Sequence, residues 1–258
     1  MVKLLFKSAS ELKDVIGLVS CINDEVCFKF DENGFMTRVM DPGKVAMVSL
    51  TVKKDFLQEY DLGGQQKADM TISLSQLEKL LRGMTKNPVS LEVKSLPNQT
   101  INKLHIEQEK PYNRKFNMPI LEPPEDQPPP EPKVEYRNNV KITVNGLRAL
   151  IEDAKLVSDH VKFKVAKDMF LAEVHGDLLH YNAIMQPPNE DLLNLEVGEP
   201  DAAAIFSLRY LDDITKAASK MAQIVTAQIS KDMPVKLTFE AQPEIQLWYA
   251  LAPRIEPE

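Results

Sequence analysis

The side chains with the most evident chemical use in this chain are cations set out at helical spacing. At about 100° per residue, Leu77, Leu80, Leu81 and Met84 share one side of a segment whose opposite side carries Lys79, Arg82 and Lys86. A later segment repeats the arrangement: Leu208, Leu211, Ile214 and Ala218 face one way, and Arg209, Lys216 and Lys220 the other, with only Asp213 intruding. Rows of fixed cations suit the phosphates of an extended polyanion. Contacts of that kind ignore base sequence, draw on counterion release and weaken steeply with salt. One such helix alone is read more simply as a solvated face. Two matched helices in a chain of net charge −7 shift the reading toward a phosphate-contacting surface. Two further segments carry less. Lys13 sits on the flank of one, with Asp14 and Gly17 facing out, and Arg148 and Lys155 sit on the flank of the other, where Glu152 faces out.

All four segments open on one pattern: Ser or Thr, an apolar or small residue, two of any kind, Leu, two more, then an apolar residue. The copies begin at Ser8, Ser73, Thr143 and Ser207, with leucines at Leu12, Leu77, Leu147 and Leu211, and the spacings are 65, 70 and 64 residues. An internal repeat of this kind fixes architecture before any single residue is interpreted. A short strand-like run precedes each copy (Val2–Phe6, Ala68–Ile72, Val140–Val144, Ala203–Phe206) and three follow it, among them Val45–Val52, Lys115–Ile120 and Leu178–Ile184. Strict alternation, as in Val161-Lys162-Phe163-Lys164-Val165, means one buried and one wet face. Asn33-Gly34 reads as a two-residue hairpin turn. Four helices spread evenly among strands suggest a curved or closed surface without an obvious pocket.

Seven of the eighteen prolines lie from Pro119 to Pro132, among Glu122, Glu125, Asp126 and Glu131. Such a stretch favours extended, polyproline-like chain and cannot supply a central strand. The expected fold is therefore α+β, with two similar domains, 1–117 and 136–258, each of two strand–helix–three-strand units. An acidic, semi-rigid connector, 118–135, joins them.

Composition is globular, at 43% hydrophobic and 27% charged residues. No run approaches the roughly 20 apolar residues of a membrane span, and residues 1–13 lack a secretory pattern, so a cytoplasmic protein with no membrane partner is expected. Cys21 and Cys27 fit neither a disulfide framework nor a zinc spacing and read as two buried thiols. No phosphate-cradling glycine loop exists, since Pro42-Gly43-Lys44 lacks the upstream glycine. The histidines (His105, His160, His175, His180) show no ligand spacing on one helix, and Asp212-Asp213 has no third ligand nearby. No serine or cysteine sits in a nucleophile context. No catalytic residue, metal or cofactor is expected.

At Phe206-Ser-Leu-Arg-Tyr-Leu211, Met233-Pro234, Leu251-Ala-Pro-Arg-Ile-Glu256 and Met40-Asp41-Pro42 the chain resembles the DNA sliding clamps of the proliferating cell nuclear antigen family, the archaeal ones especially. The resemblance runs the length of the chain, with its motifs in order. It implies a trimeric ring of six domains with helices lining a central hole and sheets outside. Such a ring encircles duplex DNA without sequence preference and tethers replication and repair enzymes to it. The DNA-facing set implied is Lys13, Lys79, Arg82, Lys86, Arg148, Lys155, Arg209, Lys216 and Lys220. The third helix departs from the family by offering Ala149 and Glu152 outward, and Ser20 stands where a further lysine is often seen.

Partners of the family dock a short motif (a glutamine, an aliphatic residue, paired aromatics) beside the connector. The partners implied are DNA polymerase, flap endonuclease, DNA ligase and the clamp loader. The groove implied here comprises Met40, Val45, Met47, Leu121, Pro234, Tyr249, Leu251, Ala252, Pro253 and Ile255, an apolar socket with adaptable methionines. Residues 252–255 are expected to add backbone pairing to the bound peptide. Two further subunits, the same or different, are implied at Arg114, Phe116, Met118, Leu178 and His180, where pairing would also cover exposed strand edges. A checkpoint-type clamp subunit is the alternative within this class. A two-domain enzyme with an unrecognised cleft is the alternative outside it.

Overall fold

The computed structural model describes residues 2–84, 86–94, 103–124 and 130–254. They form two compact units, one from residues 2–39, 48–124 and 243–246, the other from 40–47, 130–242 and 247–254.

In the first unit, strand β1 (Lys3–Phe6) leads to helix α1 (Ala9–Ser20) and strands β2 (Glu25–Asp31), β3 (Gly34–Met40) and β4 (Ala46–Lys53). A short strand β5 (Glu59–Asp61) precedes β6 (Ala68–Ser73), helix α2 (Leu74–Leu81), β7 (Val89–Lys94), β8 (Lys103–Gln108) and β9 (Arg114–Pro119). The second unit follows the same plan. Strand β10 (Asn138–Thr143) leads to α3 (Val144–Lys155), β11 (His160–Val165), β12 (Phe170–His175), β13 (His180–Met185) and β14 (Leu192–Val197). Then come β15 (Ala202–Ser207), α4 (Leu208–Ala218), β16 (Ile224–Ile229), β17 (Val235–Glu240) and β18 (Ile245–Leu251).

The pairing exchanges strands between the two repeats of each unit. The strand before α1, β1, joins the strands after α2 in the order β5-β1-β7-β8-β9, while β6, before α2, joins the strands after α1 as β4-β3-β2-β6. The second unit does the same, as β14-β10-β16-β17-β18 and β13-β12-β11-β15. The strands named here pair antiparallel with their neighbours, and β11 and β17 show the one-face burial common in such sheets.

Helix entry shows the same exchange at the level of single bonds. The first backbone N–H of each helix donates to a carbonyl just beyond the other helix of its unit: Ala9 to Asn87 (3.1 Å), Leu74 to Asp24 (2.9 Å), Val144 to Gln223 (2.8 Å) and Leu208 to Asp159 (2.9 Å). These donors would otherwise go unpaired at a helix start. The repeat's Ser or Thr is the N-cap. Ser8, Ser73 and Thr143 accept from the amides of Glu11, Gln76 and Gly146, whereas Ser207 makes no such bond. The repeat's leucines are core: Leu12, Leu77, Leu147 and Leu211 are at most 2% exposed. Helices α1 and α2 pack side by side in the first unit, as do α3 and α4 in the second.

Several boundaries differ from the sequence reading. The hairpin loop is Glu32-Asn33, with Gly34 opening β3 opposite Asp31. Gly34 has φ +147°, and a Cβ there would lie 2.1 Å from the Val52 carbonyl oxygen, so close approach of the neighbouring strand requires glycine. Strands β5 and β14 are additional to the strand–helix–three-strand unit expected from the repeat. Leu178 falls in the β12–β13 turn and not on a strand. Neither Cys21 nor Cys27 is in a disulfide and both are half-buried, so the expectation of buried thiols is corrected.

Candidate nucleic-acid and partner-binding surfaces

On α2, Lys79 and Arg82 are exposed opposite the buried Leu74, Leu77 and Leu81. Arg82 is the C-cap, and its amide reaches back to the carbonyls of Glu78 and Lys79. Lys86 is exposed but lies beyond the helix, which corrects its assignment to the helical face. Gly83, a poor helix former, directly follows the C-cap. On α4, Arg209 and Lys216 are exposed, and Lys220 lies one residue past the C-cap Ser219. None of Lys79, Arg82, Arg209 and Lys216 forms an ion pair with a described carboxylate within 4.0 Å.

The first helix of each unit handles its cations differently. Lys13 is half-buried, its ammonium 3.4 Å from the Met84 carbonyl oxygen. Arg148 donates to Glu152 at 3.2 Å, one turn along α3, and Lys155 is bonded to Asp212 of α4. That hydrogen bond, with the surrounding carboxylates, raises the Lys155 pKa. Ser20, in the position noted for a lysine, donates to Glu78 at 2.8 Å.

The residues named for a partner groove divide between surface and core. Met47, Tyr249 and Leu251 are 3, 0 and 0% exposed and belong to the core, so they offer a peptide no open wall. The Tyr249 ring packs edge-on against Phe239 at 5.7 Å. Val45 is 36% exposed, while Met40, Pro234, Ala252 and Pro253 are half-buried. In the first unit, Leu121 donates its amide to the Thr71 carbonyl (2.8 Å). Ile255 lies outside the described residues. The Ala252 amide donates to Val45 (2.8 Å) and the Arg254 amide to Ile205 (2.7 Å). Those two N–H groups are therefore already used, so backbone pairing of this segment with a peptide falls to its carbonyls.

Between Met40 and Met47 the chain turns around one carboxylate. Asp41, 6% exposed, accepts the amides of Gly43 (3.0 Å), Val45 (2.7 Å) and Ala46 (2.6 Å) and the Tyr210 hydroxyl (2.7 Å). Burial alone would raise this carboxyl, but the donors outweigh it and hold the group below the usual carboxylate range. Lys44 has φ +56°, a conformation that a non-glycine residue keeps only where its surroundings fix it. Asp41 and Tyr210 lie in Met40-Asp41-Pro42 and Phe206-Ser-Leu-Arg-Tyr-Leu211, and nothing in either motif alone assigns them a role. An Asp opening an Asp-Pro-Gly turn was the available signal.

Of the connector, residues 125–129 lie outside the described residues. Glu131 is bonded to Lys236 of β17, whose ammonium sits 5.1 Å from the Trp248 ring. Beside it, burial and the Glu131 charge push the Tyr136 phenol up to about 12.

The residues named for subunit contact lie on or beside two sheet edges. Strand β9 is the outer strand of its sheet, with Arg114 and Phe116 half-buried and Met118 buried. Arg114 donates to the Gly83 carbonyl and covers the Tyr112 ring at 4.4 Å. Strand β13 is likewise an outer strand. Leu178 beside it is 92% exposed, and His180 faces its cross-strand partner His175 with the Nδ1 atoms 3.1 Å apart. Among the described residues, no group of three or more His, Cys, Asp or Glu is placed to hold a metal ion. Nor, among those residues, is any helix long and apolar enough to cross a membrane.

Family models carry the comparison further. The model for the N-terminal domain of proliferating cell nuclear antigen matches residues 1–122, and that for its C-terminal domain matches residues 131–254. The chain belongs to the proliferating cell nuclear antigen family. A DNA polymerase sliding clamp of Methanococcus maripaludis strain C7 is 33% identical over 253 residues, covering 95% of this chain and 96% of that one. DNA polymerase sliding clamp 1 of Thermococcus kodakarensis is 29% identical, with 98% of both chains covered. The fold is that of the clamps. A crystal structure of the Thermococcus kodakaraensis clamp superposes with a TM-score of 0.84 at 20% identity, covering 98% of this chain and 100% of that one. The structure of the C-terminal region of FEN-1 bound to A. fulgidus PCNA gives a TM-score of 0.83 at 22% identity, with both chains fully covered.

Proposed function

We propose that this chain is a subunit of a three-membered ring that encloses duplex DNA and tethers polymerase, flap endonuclease, ligase and clamp loader to it. The observation that carries the proposal is the pair of exposed basic faces on α2 and α4 in a family-matched chain that is acidic overall. Loose, sequence-independent contact with phosphate holds a duplex while allowing movement along it. Retention then comes from closure of the ring. The chain acts as a scaffold and not as a catalyst, and works in the cytoplasm at the nucleoid. Its domain limits in this reading are 1–117 and 136–258, with 118–135 as the connector.

Unpaired outer strands β9 and β13 support a subunit contact made by strand addition, with Phe116 and Leu178 as its apolar members. The loop around Asp41, with Val45, Pro234, Ala252 and Pro253, supports a docking surface for a short peptide. The solved complex of a FEN-1 C-terminal region with A. fulgidus PCNA supports a flap endonuclease tail as one partner.

Light scattering of the chain alone, and mixed with any sister subunits from its source, tests the ring. A mass of three chains in either sample supports it, and a monomer in both refutes it. Binding to nicked circular DNA, loaded and then cut to linear form, tests enclosure. Release on cutting is expected, and equal retention on both forms would exclude a topological hold.

A further inference from the structure

We infer that Tyr210 is a positioning residue for partner docking: its hydroxyl fixes the 41–46 loop in the form that presents Val45 to a bound peptide. The inference rests on the docking surface proposed above and adds a residue that touches no peptide itself.

The geometry is specific. Tyr210 lies in the first turn of α4, and its sequence separation from Asp41 is 169 residues, yet the hydroxyl donates to Asp41 Oδ2 at 2.7 Å. The same carboxylate gathers three loop amides. Oδ1 takes those of Val45 and Ala46, and Oδ2 takes that of Gly43. Lys44 closes the turn by donating its amide to the Asp41 carbonyl at 2.9 Å. A Cβ on Gly43 would lie 2.9 Å from Asp41 Oδ2 and 3.9 Å from the Tyr210 hydroxyl, so the turn is built tightly against both groups. At the far end of the loop, Val45 offers its carbonyl to the Ala252 amide while the residue remains 36% exposed.

Each loop amide depends on where the carboxylate points, and the Tyr210 hydroxyl is the one side-chain donor among those described that sets its second oxygen. Without that donor, Oδ2 keeps only the Gly43 amide. The carboxylate is then free to rotate, and the positive φ of Lys44 loses its support. An apolar anchor held in one place binds with less ordering cost than a mobile one. The hydroxyl therefore contributes to peptide affinity through pre-organisation.

Tyr210→Phe removes the hydroxyl and keeps the ring. With a fluorescein-labelled peptide carrying a glutamine, an aliphatic residue and two adjacent aromatics, fluorescence polarisation should show affinity about tenfold weaker for this variant, the scale of one hydrogen bond to a charged group. Amide exchange at Val45 and Ala46 should quicken about tenfold while the amides of β16 are unchanged. Asp41→Asn provides a second variant and should move both readouts the same way. Val45→Glu tests the docking surface itself and should abolish binding. If Val45→Glu abolishes binding while Tyr210→Phe leaves either affinity or loop exchange unchanged, the positioning role is overturned and the docking surface stands. If Val45→Glu binds as wild type, the docking surface falls and this inference falls with it.

Discussion

Helices α2 and α4 hold Lys79, Arg82, Arg209 and Lys216 in solvent, whereas α3 ties Arg148 and Lys155 to carboxylates and α1 lays Lys13 along a carbonyl. Helical spacing sets Lys13, Arg148 and Lys155 on the flanks of their helices but still leaves them as cations beside an apolar stripe. Their partners separate them. A lysine already bonded to Asp212 must give up that contact before it can serve a phosphate, so the net gain is small. An exposed lysine releases its counterions directly. The lesson is that a count of cations on a face overstates its pull, and that the second helix of each unit is the better candidate for the polyanion.

The comparison can be sharpened first at its apolar base, where the two kinds of helix should behave alike. Leu77→Ala on α2 and Leu147→Ala on α3 both open a fully packed site, and each should cost about 2–5 kcal/mol in denaturant unfolding. A large inequality would show that the helices differ in packing as well as in charge. Next, Lys79→Ala with Arg82→Ala should flatten the dependence of DNA affinity on salt by about 2 in log–log slope. Arg148→Ala with Lys155→Ala should change it by less than about 1. Equal effects from the two pairs would break the distinction.

A third test uses acid. Asp24, which accepts the Ser75 amide and the hydroxyls of Ser73 and Ser75 at the start of α2, is held below the usual carboxylate range although burial opposes it, as Asp41 is in the second unit. A group whose folded-state value is depressed adds stability that is complete above the unfolded value of about 3.9 and is lost as pH falls through the folded value. Asp24→Asn and Asp41→Asn should each flatten the fall of stability below about pH 4, measured by urea midpoints, and leave its slope near neutrality unchanged. The smallest expected effect is a gain. Asp212→Ala frees Lys155 and should raise DNA affinity about twofold at low salt, and less as salt increases.

Much of this architecture is legible in the residues. The Ser/Thr and Leu pattern marks the four helix starts, and alternation along β11 and β17 gives both strands and facing. The strand exchange is not legible, because periodicity reports which face of a strand is buried and never which strand lies beside it. Short, polar β5 gives no alternating signal. Lys86 was misplaced because an apolar stripe continues to Met84 while the helix has already ended at Arg82. Met47, Tyr249 and Leu251 are apolar in sequence and core in the fold, and only burial distinguishes them from Val45. The bond from Tyr210 to Asp41 joins residues that no local rule relates.

The exchanged strands also decide what can be divided. Since β1 finds its ladder with β7, and β6 with β2, a fragment carrying a single repeat would have a helix whose sheet belongs to the missing half. Each helix would lose the carbonyl that receives its first amide as well. A repeat on its own is thus an incomplete object, and the smallest piece of this chain able to stand alone is a pair.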